Sequence, residues 1–195
     1  MKKLLITGFD PFGGEIVNPS WEAVRLLPEQ IGEYKLTKLQ IPTEFARAAK
    51  TVLEAAEKET PDVILCIGQA GGRSGVTPEV IGINLREARI PDNAGFQPQN
   101  EPVDPQGPAA YFSTVPVREM VESIRAAQIP AALSFSAGAF VCNDVLYSVL
   151  RDCEGKGVRA GFIHVPFLPE QAGEGVPSLP LAQIVTALSK AIEAL

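Results

Sequence analysis

The sequence predicts an α/β fold: a single domain with a mainly parallel, twisted sheet covered by helices on both faces. Three observations point there. Four short runs, KLLITGF near residue 3, DVILCIG from Asp62, AALSFS from Ala131 and AGFIHV from Ala160, are almost continuously apolar. That is the pattern of strands buried on both faces. Between them lie stretches with apolar residues at three/four spacing, the period of an amphipathic helix. Strands alternating with helices imply parallel pairing through crossover connections.

Taken in order, the first strand leads through GFDPFGG to NPSWEAVRLL, a helix start with Asn18 or Ser20 as cap and Pro19 early in the first turn. YKLTKLQI, residues 34–41, is a further strand candidate. Phe45, Ala48, Ala49, Val52, Leu53 and Ala56 mark the next helix, with Thr43 as its expected N-cap. After the Asp62 strand, PEVIGINLREARI, residues 78–90, is rich in β-branched residues with no helix before it, so an antiparallel excursion is expected there. PDNAGFQPQNEPVDPQGP, residues 91–108, reads as one long loop, and loops of that length are commonly functional. Val117, Met120, Val121 and Ile124 behind Pro116, and Leu181, Ile184, Val185, Leu188 and Ile192 near the C-terminus, complete the helices.

Composition narrows the function. With 195 residues and 46% hydrophobic content, the chain suffices for one core, and no linker divides it. Its net charge is −6 and its basic residues are scattered, which argues against nucleic-acid and anionic-membrane partners. The N-terminal apolar run is interrupted by Gly8 and Asp10, too early for a secretory leader, and no stretch approaches a membrane span. Three cysteines, Cys66, Cys142 and Cys153, have no CxxC spacing, so neither a disulfide framework nor a metal site is expected. A reducing cytoplasm is the expected location.

In open α/β sheets, ligands collect at the carboxyl ends of the strands. There the sequence places GFDPFGG, GQAGGRSG, SAGAFVCN and the HVP that holds the only histidine. Spacing alone aligns Cys142 with Val145, Leu146 and Val149, the pattern of a packed core thiol. Its position at a helix start says otherwise. Free backbone N–H groups and the positive end of the macrodipole lower a thiol pKa and can receive an oxyanion. His164, ending an apolar strand, is the one imidazole in the chain able to serve as its base. Spacing does not choose the group that orients His164 among Asp10, Glu79, Glu87, Asp92 and Asp144. Cys66, inside a strand, and Cys153, on the buried stripe of the Cys142 helix, read as structural. The aromatics Phe9 and Phe12 of the first turn suggest an apolar recess rather than a phosphate loop, since no GxGxxG or GxxxxGK[ST] is present.

Together TGFDPFGG, NPSWEAV, GQAGGR, TPE, ARIPDN, GPAAY, SAGAFVCN, GFIHVP and PSL resemble, in that order and over nearly the whole chain, the pyroglutamyl peptidase I (pyrrolidone-carboxylate peptidase) family of cysteine peptidases. The resemblance implies a phosphorylase-like α/β/α architecture and an omega-peptidase that cleaves after an N-terminal pyroglutamyl residue, with no cofactor. It implies a triad of Glu79, Cys142 and His164. It assigns the substrate pocket to Phe9, Phe12, Asn18, Gln69 and Phe140, with Arg89 near the oxyanion, and implies a homotetramer. One departure is visible: the family's basic residue after the glutamate is Val80 here. Two other readings of these glycine-rich turns are a nucleoside- and phosphate-handling enzyme and a non-catalytic binder. No basic residue in the first turn favours the former, and an assay distinguishes the latter.

Overall fold

The alternation of apolar residues along the strands decides how the sheet is covered. In the computed structural model, which describes residues 1–195, Leu4 and Ile6 face one core whereas Leu5, between them, faces the other. Both sides of a strand are therefore buried, which is why the runs read as continuous apolar segments.

The strands are β1 (Lys2–Phe9), β2 (Gln30–Ile31), β3 (Tyr34–Ile41), β4 (Val63–Gln69), β5 (Thr77–Pro78), β6 (Ile81–Ile83), β7 (Ala110–Phe112) and β8 (Arg159–Val165). The helices are α1 (Pro19–Leu26), α2 (Arg47–Glu59), α3 (Val117–Ala126), α4 (Val141–Cys153) and α5 (Leu181–Glu193). One six-stranded sheet runs β2-β3-β1-β4-β8-β5, parallel throughout its centre and antiparallel only at the two short edges. Buried residues of α1, α3 and α5 cover one face, and those of α2 and α4 cover the other. The expected α/β sandwich is thus present. So is the antiparallel excursion, as β5 followed by the β6–β7 hairpin.

Two expectations are corrected. The Ala131 run is not a regular strand. It lies beside residues 76–80, bridging only at Val76–Ala131 and Glu79–Ser134. Val76 N–H donates to Pro130 and Val80 N–H to Ser134, but the register bond between them would need an N–H from Pro78, which has none. Thr43 does not cap α2 either. Its N–H and hydroxyl donate to Asp10 at 2.7 and 3.2 Å, which holds 43–46 as a turn. The helix starts after Ala46, which takes a positive φ of 57°. Its N–H is held by Asp144 Oδ2 at 2.9 Å.

The 91–108 loop is tied down. Asp92 accepts from Ala94 and Phe96 N–H with Oδ1 (2.9 and 2.8 Å) and from Phe45 N–H with Oδ2 (2.9 Å). Phe96 then stacks edge-on against Phe45, and Phe45 against Phe140. No helix is long and apolar enough to cross a membrane.

Candidate active site

The carboxyl ends of β1, β4 and β8 and the turn before α4 meet around one cavity of about 460 Å³. Its lining includes Phe9, Gln69 and His164 from strand ends, Phe12 and Asn18 from the turn after β1, Phe140 and Cys142 from the start of α4, and Arg89. A larger cleft of about 770 Å³ lies along α2 and α4, but its lining is a mixture of charged side chains with neither thiol nor imidazole. The smaller cavity is the one lined by a thiol and an imidazole.

His164 arrives on β8, in register with Gly68 of β4. Short β5 pairs antiparallel with β8, Thr77 opposite His164, and Glu79 N–H continues the pairing to Phe162 at 2.9 Å. That brings the Glu79 carboxylate to His164: Nδ1 lies 2.7 Å from Oε1, with Glu79 fully buried and His164 nearly so. A carboxylate at that distance favours the tautomer protonated at Nδ1, with Nε2 as the acceptor nitrogen.

Cys142 occupies the first turn of α4, where no side chain caps the helix. Asn143 and Asp144 N–H turn back to the Phe140 carbonyl at 3.0 and 3.2 Å, which leaves the Val141 and Cys142 N–H groups for a ligand. The turn before it needs Gly138 at φ 76°, a conformation that side chains resist. The thiol reaches over Gly68: a Cβ at that position would lie 2.8 Å from Sγ and 2.7 Å from the Phe162 ring. Only glycine lets sulfur approach the strand beside His164.

Electrostatics set the resting state. Burial, then the Glu79 charge, push the Cys142 thiol up to about 12, outweighing the helix N-terminus. Burial holds His164 below its ordinary value despite the Glu79 hydrogen bond. Burial alone would raise Glu79, but the His164 hydrogen bond and charge and the Arg73 charge hold it below the usual carboxylate range. At Cys142 burial and the Glu79 charge thus work against the helix N-terminus and Arg73.

The remaining candidates for orienting His164 are engaged elsewhere. Asp10 accepts from Thr43 and Asn93, Glu87 from Asn100 N–H, Asp92 from the 91–108 loop, and Asp144 from Arg86. Phe140, at the N-cap of α4, packs against Phe45 at 5.2 Å and Phe12 at 6.1 Å, so the aromatic wall is continuous. Asn18 caps α1, accepting from Ser20 N–H, and donates to the Asp10 carbonyl at 2.9 Å, which fixes the first turn. Gln69 accepts from Gln171 with its side-chain oxygen at 3.2 Å, which leaves its side-chain NH2 without a protein partner. Arg89 lies at the exposed mouth. Cys66 and Cys153 are buried away from this wall, and burial raises their thiols to about 12 and about 11.

Two residues were missed by sequence reasoning. Arg73 donates to Glu79 Oε1 at 2.7 Å, and its only signal was a place in GQAGGR. Gln171 bridges Gln69 and the Val17 carbonyl across 102 and 154 residues of chain, a contact no local pattern announces.

Comparison with known proteins identifies the family. The pyroglutamyl peptidase family model matches residues 2–195. The pyrrolidone-carboxylate peptidase of Levilactobacillus brevis is 54% identical over 99% of this chain and 97% of its own length, and that of Treponema denticola 49% identical over 99% and 93%. The crystal structure of Bacillus amyloliquefaciens pyroglutamyl peptidase I superposes with a TM-score of 0.96 at 48% identity, covering 100% of this chain and 96% of that one. The Thermococcus litoralis pyrrolidone carboxyl peptidase superposes with a TM-score of 0.95 at 36% identity, covering 100% and 93%. This chain belongs to the pyroglutamyl peptidase family, an enzyme of the cysteine-type hydrolase class.

Proposed function

We propose that this chain is a cysteine omega-peptidase that hydrolyses the bond after an N-terminal L-pyroglutamyl residue of peptides, with Cys142, His164 and Glu79 as its triad. The observation that carries the reading is the 2.7 Å contact of His164 Nδ1 with buried Glu79, beside a thiol that reaches over the strand partner of His164.

Pyroglutamate is a small neutral lactam, and the cavity suits it. Phe9, Phe12 and Phe140 offer apolar walls, and the Gln69 turn offers backbone donors and acceptors. Glu87, the one acid in its lining, is exposed and accepts Asn100 N–H at 2.6 Å, so no buried carboxylate waits for a free α-ammonium group.

His164 Nε2 takes the thiol proton as Sγ attacks the pyroglutamyl carbonyl carbon. The carbonyl oxygen becomes an oxyanion held by the Cys142 N–H at the start of α4, with Arg89 contributing from the mouth. Collapse breaks the C–N bond, and the leaving amine takes the proton from imidazolium. A water, deprotonated by His164, then attacks the thioester and frees pyroglutamate and the thiol. Glu79 holds the tautomer and offsets the imidazolium charge throughout.

The proposal extends to residues 1–195 as a single peptidase domain, to a homotetramer, and to a cytoplasmic location. Three free cysteines support the last. Sedimentation of the purified chain tests the assembly.

The activity is tested by release of a fluorogenic amine from its L-pyroglutamyl amide by the wild type and Cys142→Ala. The proposal expects turnover that disappears in the variant. An inert wild type under reducing conditions at neutral pH, or equal rates for both proteins, contradicts it.

A further inference from the structure

We propose that Arg73 is a positioning residue of this site, fixing Glu79 for its contact with His164 and tying that carboxylate to the turn that carries Cys142. This deepens the peptidase reading and rests on it.

Arg73 Nη1 lies 2.7 Å from Glu79 Oε1, the same oxygen that His164 Nδ1 meets at 2.7 Å. Nη2 donates to the Ser136 carbonyl at 3.1 Å, and Nη1 also reaches the Thr77 hydroxyl. One guanidinium thus joins the turn after β4, the acid beyond β5 and the turn before α4. Glu79 has few other holds. Its Oε2 is buried without a hydrogen bond, because the nearby Ser134 hydroxyl is turned to the Ser136 carbonyl at 3.2 Å. A buried carboxylate stripped of its cation rotates or takes up a proton. A protonated Glu79 no longer fixes the tautomer that leaves Nε2 free.

The residue type follows from the geometry. A planar fork meets two acceptors from fixed directions, whereas an ammonium is a single point of charge. Arg73 also explains how this chain manages with Val80 after the glutamate. Val80 N–H and carbonyl are bonded to Ser134 and Ser113 in an extended segment, where neighbouring side chains point to opposite faces. A basic side chain at position 80 points away from the carboxylate that Arg73 already holds.

Arg73 is 25% exposed, and its charge acts on the reacting pair as well. It disfavours imidazolium at His164 and favours thiolate at Cys142. The charged or titratable groups around His164 are Glu79, Arg73 and Cys142, with Arg89 and Glu87 farther out on the cavity wall. Removing the Arg73 charge while Glu79 stays ionised raises the His164 pKa.

The test is kcat and KM for an L-pyroglutamyl amide across pH, for the wild type, Arg73→Met and Arg73→Lys, with thermal melting alongside. Arg73→Met is expected to lose about tenfold or more in kcat, with little change in KM. Its acid limb in kcat/KM should move to higher pH. Arg73→Lys should return the limb to its wild-type position while recovering only part of kcat. If Arg73→Met does not fold, Arg73→Lys decides: wild-type kcat overturns the inference, and reduced kcat with an unmoved limb supports it. An Arg73→Met protein that melts earlier yet keeps kcat and the limb shows a purely structural residue and overturns it. An inert wild type overturns the peptidase reading and this inference together; an active wild type with an indifferent Arg73→Met overturns the inference alone.

Discussion

Two regions of this molecule each bury a carboxylate completely and set an arginine against it, and they serve different ends. Behind α2 and α4, Asp144 has both oxygens occupied, Oδ1 by Arg86 Nε at 2.6 Å and Oδ2 by Ala46 N–H at 2.9 Å. At the carboxyl edge of the sheet, Glu79 puts Arg73 and His164 on a single oxygen and leaves the other without a partner. A fully satisfied carboxylate fastens two elements together. One that shares an oxygen with an imidazole facing a cavity is arranged for proton chemistry. The difference lies in what else the carboxylate touches, since burial and an arginine are common to both.

The largest expected effect is on the nucleophile. Cys142→Ala should lower kcat for pyroglutamyl amides by at least about 10⁴-fold while leaving the melting temperature nearly unchanged, because triad members act as a unit. Glu79→Gln comes next, with a loss of about 10²- to 10⁴-fold, since an amide in that place does not enforce the tautomer. The comparison predicts the reverse for Asp144→Asn. It should cost about 3 kcal/mol in chemical denaturation, the penalty of stranding Arg86, yet leave kcat of the folded protein within about twofold. Equal kinetic damage from Glu79→Gln and Asp144→Asn would erase the distinction.

Acidification sharpens it further. The folded state holds both His164 and Glu79 below their ordinary values of 6.5 and 4.5. Below pH 6.5 the unfolded chain protonates its histidine while folded His164 resists, so stability falls with pH from there down to the folded His164 pKa. The Glu79 contribution is complete above pH 4.5 and is lost as pH drops through its lowered folded value. Melting followed against pH should therefore begin to decline near 6.5, a first step that His164→Asn should lack. The acid limb of kcat/KM should likewise lie below 6.5. The smallest effect is expected from Val80→Arg: kcat/KM within about twofold of wild type, as for a substitution that adds no interaction to the site.

Much of this was legible in the chain itself. Strands β1, β3, β4 and β8 and helices α1, α3 and α5 announced themselves through periodicity, because a sheet buried on both faces demands unbroken apolar runs. Cys142 at a helix start and His164 at a strand end were visible as the candidate nucleophile and base. Glu79 was not separable from Asp10, Glu87, Asp92 and Asp144 by spacing, and only the family resemblance singled it out. Its role depends on the antiparallel turn-back of two-residue β5, too short to leave a periodic signal. The Ala131 run misled because its partner is interrupted by Pro78, a tertiary fact. Arg73 and Gln171 act through contacts between loops distant in sequence, and such contacts have no local pattern.

The most direct measurement is to mix the protein with an activated L-pyroglutamyl ester, quench in acid and map the acyl group by peptide mass. The account predicts one pyroglutamyl thioester on Cys142, none on Cys66 or Cys153, and its loss on return to neutral pH. Turnover with no acyl group on Cys142, or acylation at another residue that turns over equally well, would contradict it.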